Sequence, residues 1–155
     1  MEKTEHGWTV VDREAGVLTY EYEFRGGATA NTFVARMPDG KLLVISPAYK
    51  MPAQAFDDLA AFGEVGAVVA NNGFHHLGQP EWRARFPEAR FFAPAEAVAR
   101  VRKQNPEAPD FEPLSKLTEQ LGEDLAVTEA PSTKCGESWA RAKIDGGHAG
   151  YASDV

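Results

Sequence analysis

One stretch decides the fold of this chain: VGAVVANNGFHHLGQPEWRARFPEARFFAP, from Val65 to Pro94. The apolar run from Val65 to Ala70 has the length and composition of a buried strand. The polar stretch from Asn71 to Gly78 breaks this run, and a second apolar run begins at Phe91. Polar side chains placed just after a buried strand are typical of the sites of α/β sheets. We therefore predict that this stretch forms the centre of a sheet and carries the functional site.

The residues before this stretch have the pattern of antiparallel strands. Short strands are predicted at Trp8 to Val11 and Asn31 to Met37, and Val17 to Phe24 alternates strongly between apolar and polar residues. Pro38-Asp39-Gly40 has the composition of a hairpin turn, because proline presets φ and glycine accepts a positive φ. Leu42 to Ile45 is apolar on both faces, as in an interior strand. The N-terminal third is therefore predicted to be an antiparallel meander.

A change of period at Ser46-Pro47 marks the start of alternating helices and strands. Pro52 to Phe62 has apolar residues at helical spacing, and Gly63 fits the end of that helix. A strand, this helix and the strand that begins at Val65 make a βαβ crossover, which implies parallel pairing. Pro80 opens a further helix, and a third parallel strand follows it.

The C-terminal part returns to antiparallel strands. Leu114 to Leu121 predicts a short helix, and Leu125 to Thr128 predicts a strand. Glu137 to Ile144 alternates, and Asp145-Gly146-Gly147 is a hairpin signal before a last strand at His148 to Val155. The fold class is therefore α/β with α+β character: a mixed β-sheet flanked by helices on at least one face.

Length, charge and cysteine content narrow the class of protein. The 155 residues predict one domain, and no apolar run approaches the roughly 20 residues that cross a bilayer. The N-terminal residues have no apolar segment of a secretory signal, and the single cysteine, Cys135, excludes an internal disulfide, so we expect a cytoplasmic protein. The net charge of −7 argues against a nucleic-acid or anionic-membrane partner.

The order of these segments resembles the N-terminal half of the metallo-β-lactamase-fold superfamily, in a branch with a degenerate metal-binding motif. The matching stretches are Asn31 to Val34, Leu42 to Pro47, Phe62 to Val65, Asn71 to Gly78 and Trp82 to Pro94. The resemblance covers residues 30 to 155. It implies one half of an αββα sandwich, and it implies that residues 1–155 form a single, incomplete N-terminal domain of that fold.

The metal-binding loop of that superfamily reads H-x-H-x-D-H followed by x-G, and it supplies ligands for one or two metals that activate a water. With the alignment fixed on His76-Leu77-Gly78, Asn71 and Gly73 stand at the first two histidine positions. His75 stands at the aspartate position, and only His76 keeps its ligand type. A tight two-metal site is therefore not expected.

The resemblance also locates the later ligand positions. Thr133 falls near the position of a later ligand histidine, and Asp154 fits the bridging aspartate. The final ligand histidine would lie beyond Val155. Ser46-Pro47 stands where the superfamily usually has an aspartate-bearing turn.

His75, His76 and Asp154 remain as candidate ligands of one divalent metal, which would be zinc or else iron or manganese. Two imidazole nitrogens and one carboxylate leave an open position for a water whose pKa the metal lowers. Gly73 permits the bend that two adjacent histidines need to bind one ion. In this hypothesis His76 and Asp154 are the catalytic residues. In the alternative, the chain binds no metal, and the two histidines hydrogen-bond loop carbonyls and cap the following turn.

Four further side chains are candidates to line the same site. Asn71 and Asn72 could orient a substrate or a water through their amides, or simply terminate the strand. Cys135 could act as a nucleophile with one of the histidines, because Lys134 beside it would lower the pKa of its thiol, or it could be inert. Thr133 would line the site at its later ligand position.

Two functions follow from the resemblance. The first is a metal-dependent hydrolase of a small ester, thioester, lactone or phosphodiester. The alternative is a non-catalytic binding or structural module that retains the fold without metal. Because an incomplete sandwich would leave one sheet face exposed, a homodimer is also expected.

Overall fold

The computed structural model describes residues 2–23, 25–70, 78–94, 97–98, 102–103, 106, 110–129 and 138–151. Within these ranges the strands are β1 (Thr9–Asp12), β2 (Val17–Glu23), β3 (Thr29–Arg36), β4 (Leu42–Ile45), β5 (Val65–Val69), β6 (Arg90–Ala93), β7 (Glu112–Pro113), β8 (Leu125–Glu129), β9 (Ser138–Ile144) and β10 (Gly147–Tyr151). The α-helices are α1 (Ala53–Asp58), α2 (Gln79–Arg85) and α3 (Leu114–Thr118), and 3-10 turns lie at Arg25–Gly27 and Leu59–Ala61.

Seven of the described strands form one mixed sheet in the order β1-β2-β3-β4-β5-β6-β7. The first four strands pair antiparallel, so the predicted meander is confirmed. The pairs β4–β5, β5–β6 and β6–β7 are parallel, so the predicted crossover is confirmed as well. Strand β4 is therefore the point at which the antiparallel and parallel halves of the sheet meet.

The two faces of β4 belong to two different cores. Leu42 and Val44 face a core that includes Phe56 of α1 and Trp82 of α2. The Trp82 ring packs edge-on against Phe56, with 4.8 Å between the ring centroids. Both helices thus cover the same face of the large sheet, as expected for the crossover connections of parallel strands.

The other face of β4 packs against a second, smaller sheet. Leu43 and Ile45 share a core with Leu117 of α3, Val127 of β8 and Ala140 of β9. The described strands of this sheet run antiparallel in the order β10-β9-β8. The molecule therefore has two sheets face to face, with α1 and α2 outside the larger one, which confirms the α/β class with flanking helices.

None of the helices in the described part of the chain is long and apolar enough to cross a membrane.

Candidate functional site

The three longer parallel strands end at one edge of the large sheet, here called the carboxyl edge (the last residues of β4, β5 and β6 and those that follow them). Ile45 lies opposite Val69, and Val69 lies opposite Phe92. The pairing continues one residue further, because the Ser46 amide donates to the Val69 carbonyl at 2.9 Å. Ligands of α/β sheets bind outside the carboxyl ends of their strands, so this edge is the candidate site.

Ser46 is the strained residue of the carboxyl edge. It is fully buried, and its φ of 58° lies in the left-handed region, which costs a residue other than glycine about 1–3 kcal/mol. Its carbonyl accepts a hydrogen bond from Thr32 Oγ1 at 2.7 Å, and its hydroxyl lies 2.9 Å from the Tyr22 hydroxyl. These bonds hold the strained turn, and strain of this kind is concentrated at functional sites.

Gly78, at the start of α2, packs closely against the backbone of the turn that follows β4. A Cβ atom at this position would lie 2.4 Å from the Pro47 carbonyl oxygen and 2.5 Å from that of Ala48. Only glycine allows such a close approach of two backbones. The indole Nε1 of Trp82 adds a second connection, because it donates to the same Ala48 carbonyl at 3.0 Å. The turn after β4 and the first turn of α2 are therefore joined by close backbone packing and by a hydrogen bond.

Gln79, the next residue, carries a buried amide to which the described residues offer no hydrogen bond. The side chain is fully buried, and no group of the described residues forms a hydrogen bond with its Oε1 or Nε2. Burying an unpaired polar group costs about 1–3 kcal/mol. Within the described ranges the buried polar residues are Thr32, Ser46 and Gln79. Thr32 binds the carbonyl of Ser46 at the end of β4. Gln79 follows Gly78, which packs on the turn after β4.

An apolar cavity of about 710 Å³ lies beside the end of β6. The described residues that line it include Ala93, Phe111, Leu114 and Val127, and Thr128 stands among them. This volume and this mostly apolar lining are in the range of small-molecule sites. The cavity thus brings the last residue of β6 together with the end of β8.

All seven residues that the sequence predicts for the site lie outside the described residues: Asn71, Asn72, His75, His76, Thr133, Cys135 and Asp154. Their grouping into one site stays a prediction. Inside the described ranges, no three His, Cys, Asp or Glu side chains form a group that could hold a metal ion.

The described residues on both sides of the segment with His75 and His76 lie at the carboxyl edge. Ala70, before the histidines, donates its amide to Phe92 at 3.0 Å, and Gly78, after them, packs on the turn that follows β4. Three residues before Asp154, the Tyr151 ring lies 5.9 Å from the ring of Phe33, which pairs with Ile45 at the end of β4.

The sequence pattern predicts neither the hydrogen bonds of Tyr22 and Thr32 to Ser46 nor the burial of the Gln79 amide. The alternation of Val17 to Phe24 predicts that Tyr20 and Tyr22 share one face of a strand, and nothing in the sequence separates the two tyrosines. Gln79 stands between a glycine and a proline at a helix start, where a polar residue is ordinarily exposed. Its burial follows from the contact of Gly78 with the turn after β4, which is a tertiary feature.

Solved structures of metallo-β-lactamases and of a diflavin flavoprotein are similar to this chain. The metallo-β-lactamase FIM-1 from Pseudomonas aeruginosa, in its mono-zinc form, aligns with a TM-score of 0.57 at 12% identity over 90% of this chain and 66% of that one. A 1–254 fragment of diflavin flavoprotein A 5 from Nostoc sp. PCC 7120 gives 0.56 at 14% identity over 90% and 64%. The metallo-β-lactamase DIM-1 gives 0.52 at 12% identity over 98% and 67%.

This chain has the metallo-β-lactamase fold. It spans about two thirds of the length of the solved structures with which it aligns. No protein-family model and no curated protein sequence matches it. At 12–14% identity the likeness establishes the metallo-β-lactamase fold and leaves the activity to be argued from the site.

Proposed function

We propose that this chain is a metal-dependent hydrolase of a small ester, thioester, lactone or phosphodiester, with its site at the carboxyl edge. One observation carries the proposal: both described ends of the segment that contains His75 and His76 are fixed at this edge. Ala70 is held there by its bond to Phe92, and Gly78 is held by its contact with Pro47. The strained Ser46 lies at the same edge.

The donor set fits one metal ion better than two. His75 and His76 with Asp154 would supply two imidazoles and one carboxylate, which is a donor set of catalytic zinc sites with one open position. The FIM-1 structure is of a mono-zinc form, so the fold accommodates a single zinc in that protein. When bound, such a metal lowers the pKa of a water and polarises the oxygen of a carbonyl or phosphoryl group.

The residues of the chain itself would bind and orient the substrate. The cavity beside Ala93 offers an apolar wall for the non-reacting part of a small substrate. The bonds of Ser46 to Tyr22 and Thr32 keep the turn after β4 rigid, and rigid support is what positions reacting groups. Asn71 and Asn72 precede the histidines and would offer amides for orienting a substrate.

Metal content tests the proposal directly. Protein purified without added metal and then offered zinc should contain about one equivalent by mass spectrometry. His76→Ala should lose that zinc, whereas His148→Ala should keep it, because His148 is exposed on β10 of the small sheet. Unchanged zinc in the His76 variant would contradict the assignment. A screen of ester, lactone and phosphodiester substrates, with and without a chelator, should then show chelator-sensitive turnover.

A second function is a non-catalytic binding module that retains the fold without metal. One observation favours it: Asn71 and Gly73 stand at the first two histidine positions of the loop. Thermal melting separates the two functions, because a ligand that binds only the folded state raises its stability. A melting temperature that neither zinc nor a chelator changes would favour the binding module.

A further inference from the structure

The side-chain amide of Gln79 is enclosed by the protein without a hydrogen bond from the described residues. The side chain is fully buried, and neither Oε1 nor Nε2 has a partner among those residues. A glutamine amide offers two donor hydrogens and two acceptor lone pairs, so this one buries its whole hydrogen-bonding capacity. Buried polar groups of native proteins are ordinarily paired, and an exception points to a role such as catalysis or the binding of an ion or water.

Gln79 stands on the face of α2 that packs against the turn after β4. Gln79 and Trp82 lie three residues apart on this helix, so they share a face. Both are fully buried, and the Trp82 indole donates to the Ala48 carbonyl at 3.0 Å. Gly78, just before Gln79, packs on the backbone of the same turn. The unpaired amide is therefore placed at the carboxyl edge, inside the contact between α2 and the end of β4.

The other buried polar side chains of the described ranges are paired at this same edge. Thr32 Oγ1 donates to the Ser46 carbonyl at 2.7 Å, and the Ser46 hydroxyl lies 2.9 Å from the hydroxyl of Tyr22. Gln79 departs from this pattern. A methionine would fill the same space without an unpaired amide. A residue that breaks a local rule without a structural gain is expected at a functional position.

A histidine ring is the group whose chemistry fits an unpaired amide at this point of the chain. A metal-ligating histidine binds the ion through one ring nitrogen and donates the N–H of the other to an acceptor that fixes the ring. His75 and His76 stand four and three residues before Gln79, outside the described residues. A neutral amide oxygen accepts such an N–H without placing a charge in a buried position.

We propose that Gln79 is a positioning residue of the metal site, and that its Oε1 accepts the ring N–H of His75 or His76 in the zinc-bound protein. This inference rests on the proposed function and adds a residue to it. Gln79 acts through the histidine, by fixing the orientation of the ring and the tautomer that leaves the other nitrogen free to bind the ion. The cost of burying the unpaired amide in the metal-free protein is offset when zinc binds.

Zinc affinity and metal-free stability together test this role. Gln79→Met keeps the length of the side chain and removes its acceptor, so it should raise the zinc Kd, measured by competition with a chromophoric chelator, by about 10–100-fold. The same substitution should raise the urea midpoint of the metal-free protein, because it removes an unpaired buried amide. Gln54→Met makes the same chemical change at an exposed position of α1 and should leave both quantities unaltered. A merely structural glutamine would not give opposite effects on stability and on zinc affinity.

Gln79→Glu separates the acceptor from the shape of the side chain. In either protonation state its carboxyl group keeps an oxygen that accepts the histidine N–H. The zinc Kd of this variant should therefore stay within about threefold of the wild-type value. Thermal melting establishes that the variant is folded. A folded Gln79→Glu protein that binds zinc as weakly as Gln79→Met would overturn the proposal.

The outcomes distinguish this inference from the proposed function. A wild-type protein that takes up no zinc would contradict the metal site itself, and this role with it. A wild-type protein that binds zinc, with the same Kd in Gln79→Met, would overturn the positioning role alone. A metal-free Gln79→Met protein less stable than the wild type would show that the amide already has a partner, such as a buried water, and would also overturn the proposal.

Discussion

The hydroxyl of Tyr22 lies 2.9 Å from the hydroxyl of Ser46, inside the protein. Tyr22 belongs to β2 and Ser46 follows β4, so the phenol reaches across the intervening strand β3. Thr32 of β3 bonds the carbonyl of the same serine. Two neighbouring strands thus support a turn whose backbone is strained, and this support fixes the end of β4 at the candidate site.

Removing the Tyr22 hydroxyl should therefore weaken the whole fold measurably. Tyr22→Phe keeps the buried ring and deletes one partner of the Ser46 hydroxyl, so we expect a loss of about 1–2 kcal/mol in the free energy of unfolding. Urea denaturation measures this loss. Tyr20→Phe is the matched control, because the Tyr20 ring packs on Trp8 at 5.2 Å and its hydroxyl has no described hydrogen-bond partner. Equal effects of the two substitutions would contradict this role for Tyr22.

Gly78→Ala should be strongly destabilising, because the added methyl group would meet two backbone carbonyls that cannot move cheaply. Distances of 2.4 and 2.5 Å to the carbonyl oxygens of Pro47 and Ala48 are far inside van der Waals contact. Overpacking of this kind costs about 1–3 kcal/mol or more. Gly147→Ala is the control: an added Cβ there meets no atom within 4 Å, and its effect should stay within about 0.5 kcal/mol. A Gly78 variant as stable as the Gly147 variant would show that the two backbones separate easily.

Gln79→Met should make the metal-free protein more stable. Methionine has nearly the shape of glutamine and has no strong hydrogen-bonding group, so the substitution removes the cost of an unpaired buried amide. We expect a gain of about 1–2 kcal/mol in urea denaturation. Gln54→Met, at an exposed position of α1, should change stability by less than about 0.5 kcal/mol. A loss of stability in the Gln79 variant would instead mean that the amide has a partner, such as a buried water.

The sequence was sufficient to predict most of the large sheet. The alternation of β2 and the Pro38-Asp39-Gly40 turn predict the meander because period and turn chemistry are local properties. The all-apolar β4 and β5, joined by a helix, predict parallel pairing because such strands must be covered on both faces. Strand β7 has only two residues, Glu112 and Pro113, and a pattern that short carries no period.

The candidate site was less predictable, because its features depend on contacts between distant residues. The positive φ of Ser46 is maintained by side chains from β2 and β3, and no local rule assigns it to a serine before a proline. Likewise, the division of the strands into two sheets depends on which faces pack together. The alternation of β9 predicts a strand with one buried face, but it does not determine the strand with which β9 pairs or the sheet to which it belongs.

The ion pair between His6 and Asp58 predicts a pH-dependent attachment of the N-terminal turn to the end of α1. The His6 ring nitrogen Nδ1 lies 2.8 Å from Asp58 Oδ1, and the His6 amide donates to Oδ2 at 2.9 Å. The hydrogen bond to Asp58 raises the pKa of His6 above its ordinary 6.5, against a smaller opposing effect of desolvation. Burial alone would raise the pKa of Asp58, but the hydrogen bonds from His6 and Thr4 bring it below 3.8.

The contribution of this pair to stability should therefore be confined to a mildly acidic window. Because the folded-state pKa of His6 is raised, its contribution is complete below pH 6.5 and is lost as the pH rises through that raised pKa. Because the folded-state pKa of Asp58 is lowered, its contribution is present above pH 3.8 and is lost as the pH falls through that lowered pKa. The difference in unfolding free energy between wild type and His6→Gln should thus be larger near about pH 5.5 than near about pH 8.5. A His6→Gln variant whose difference from the wild type is the same at both pH values would show that the pair is not charged in the folded protein.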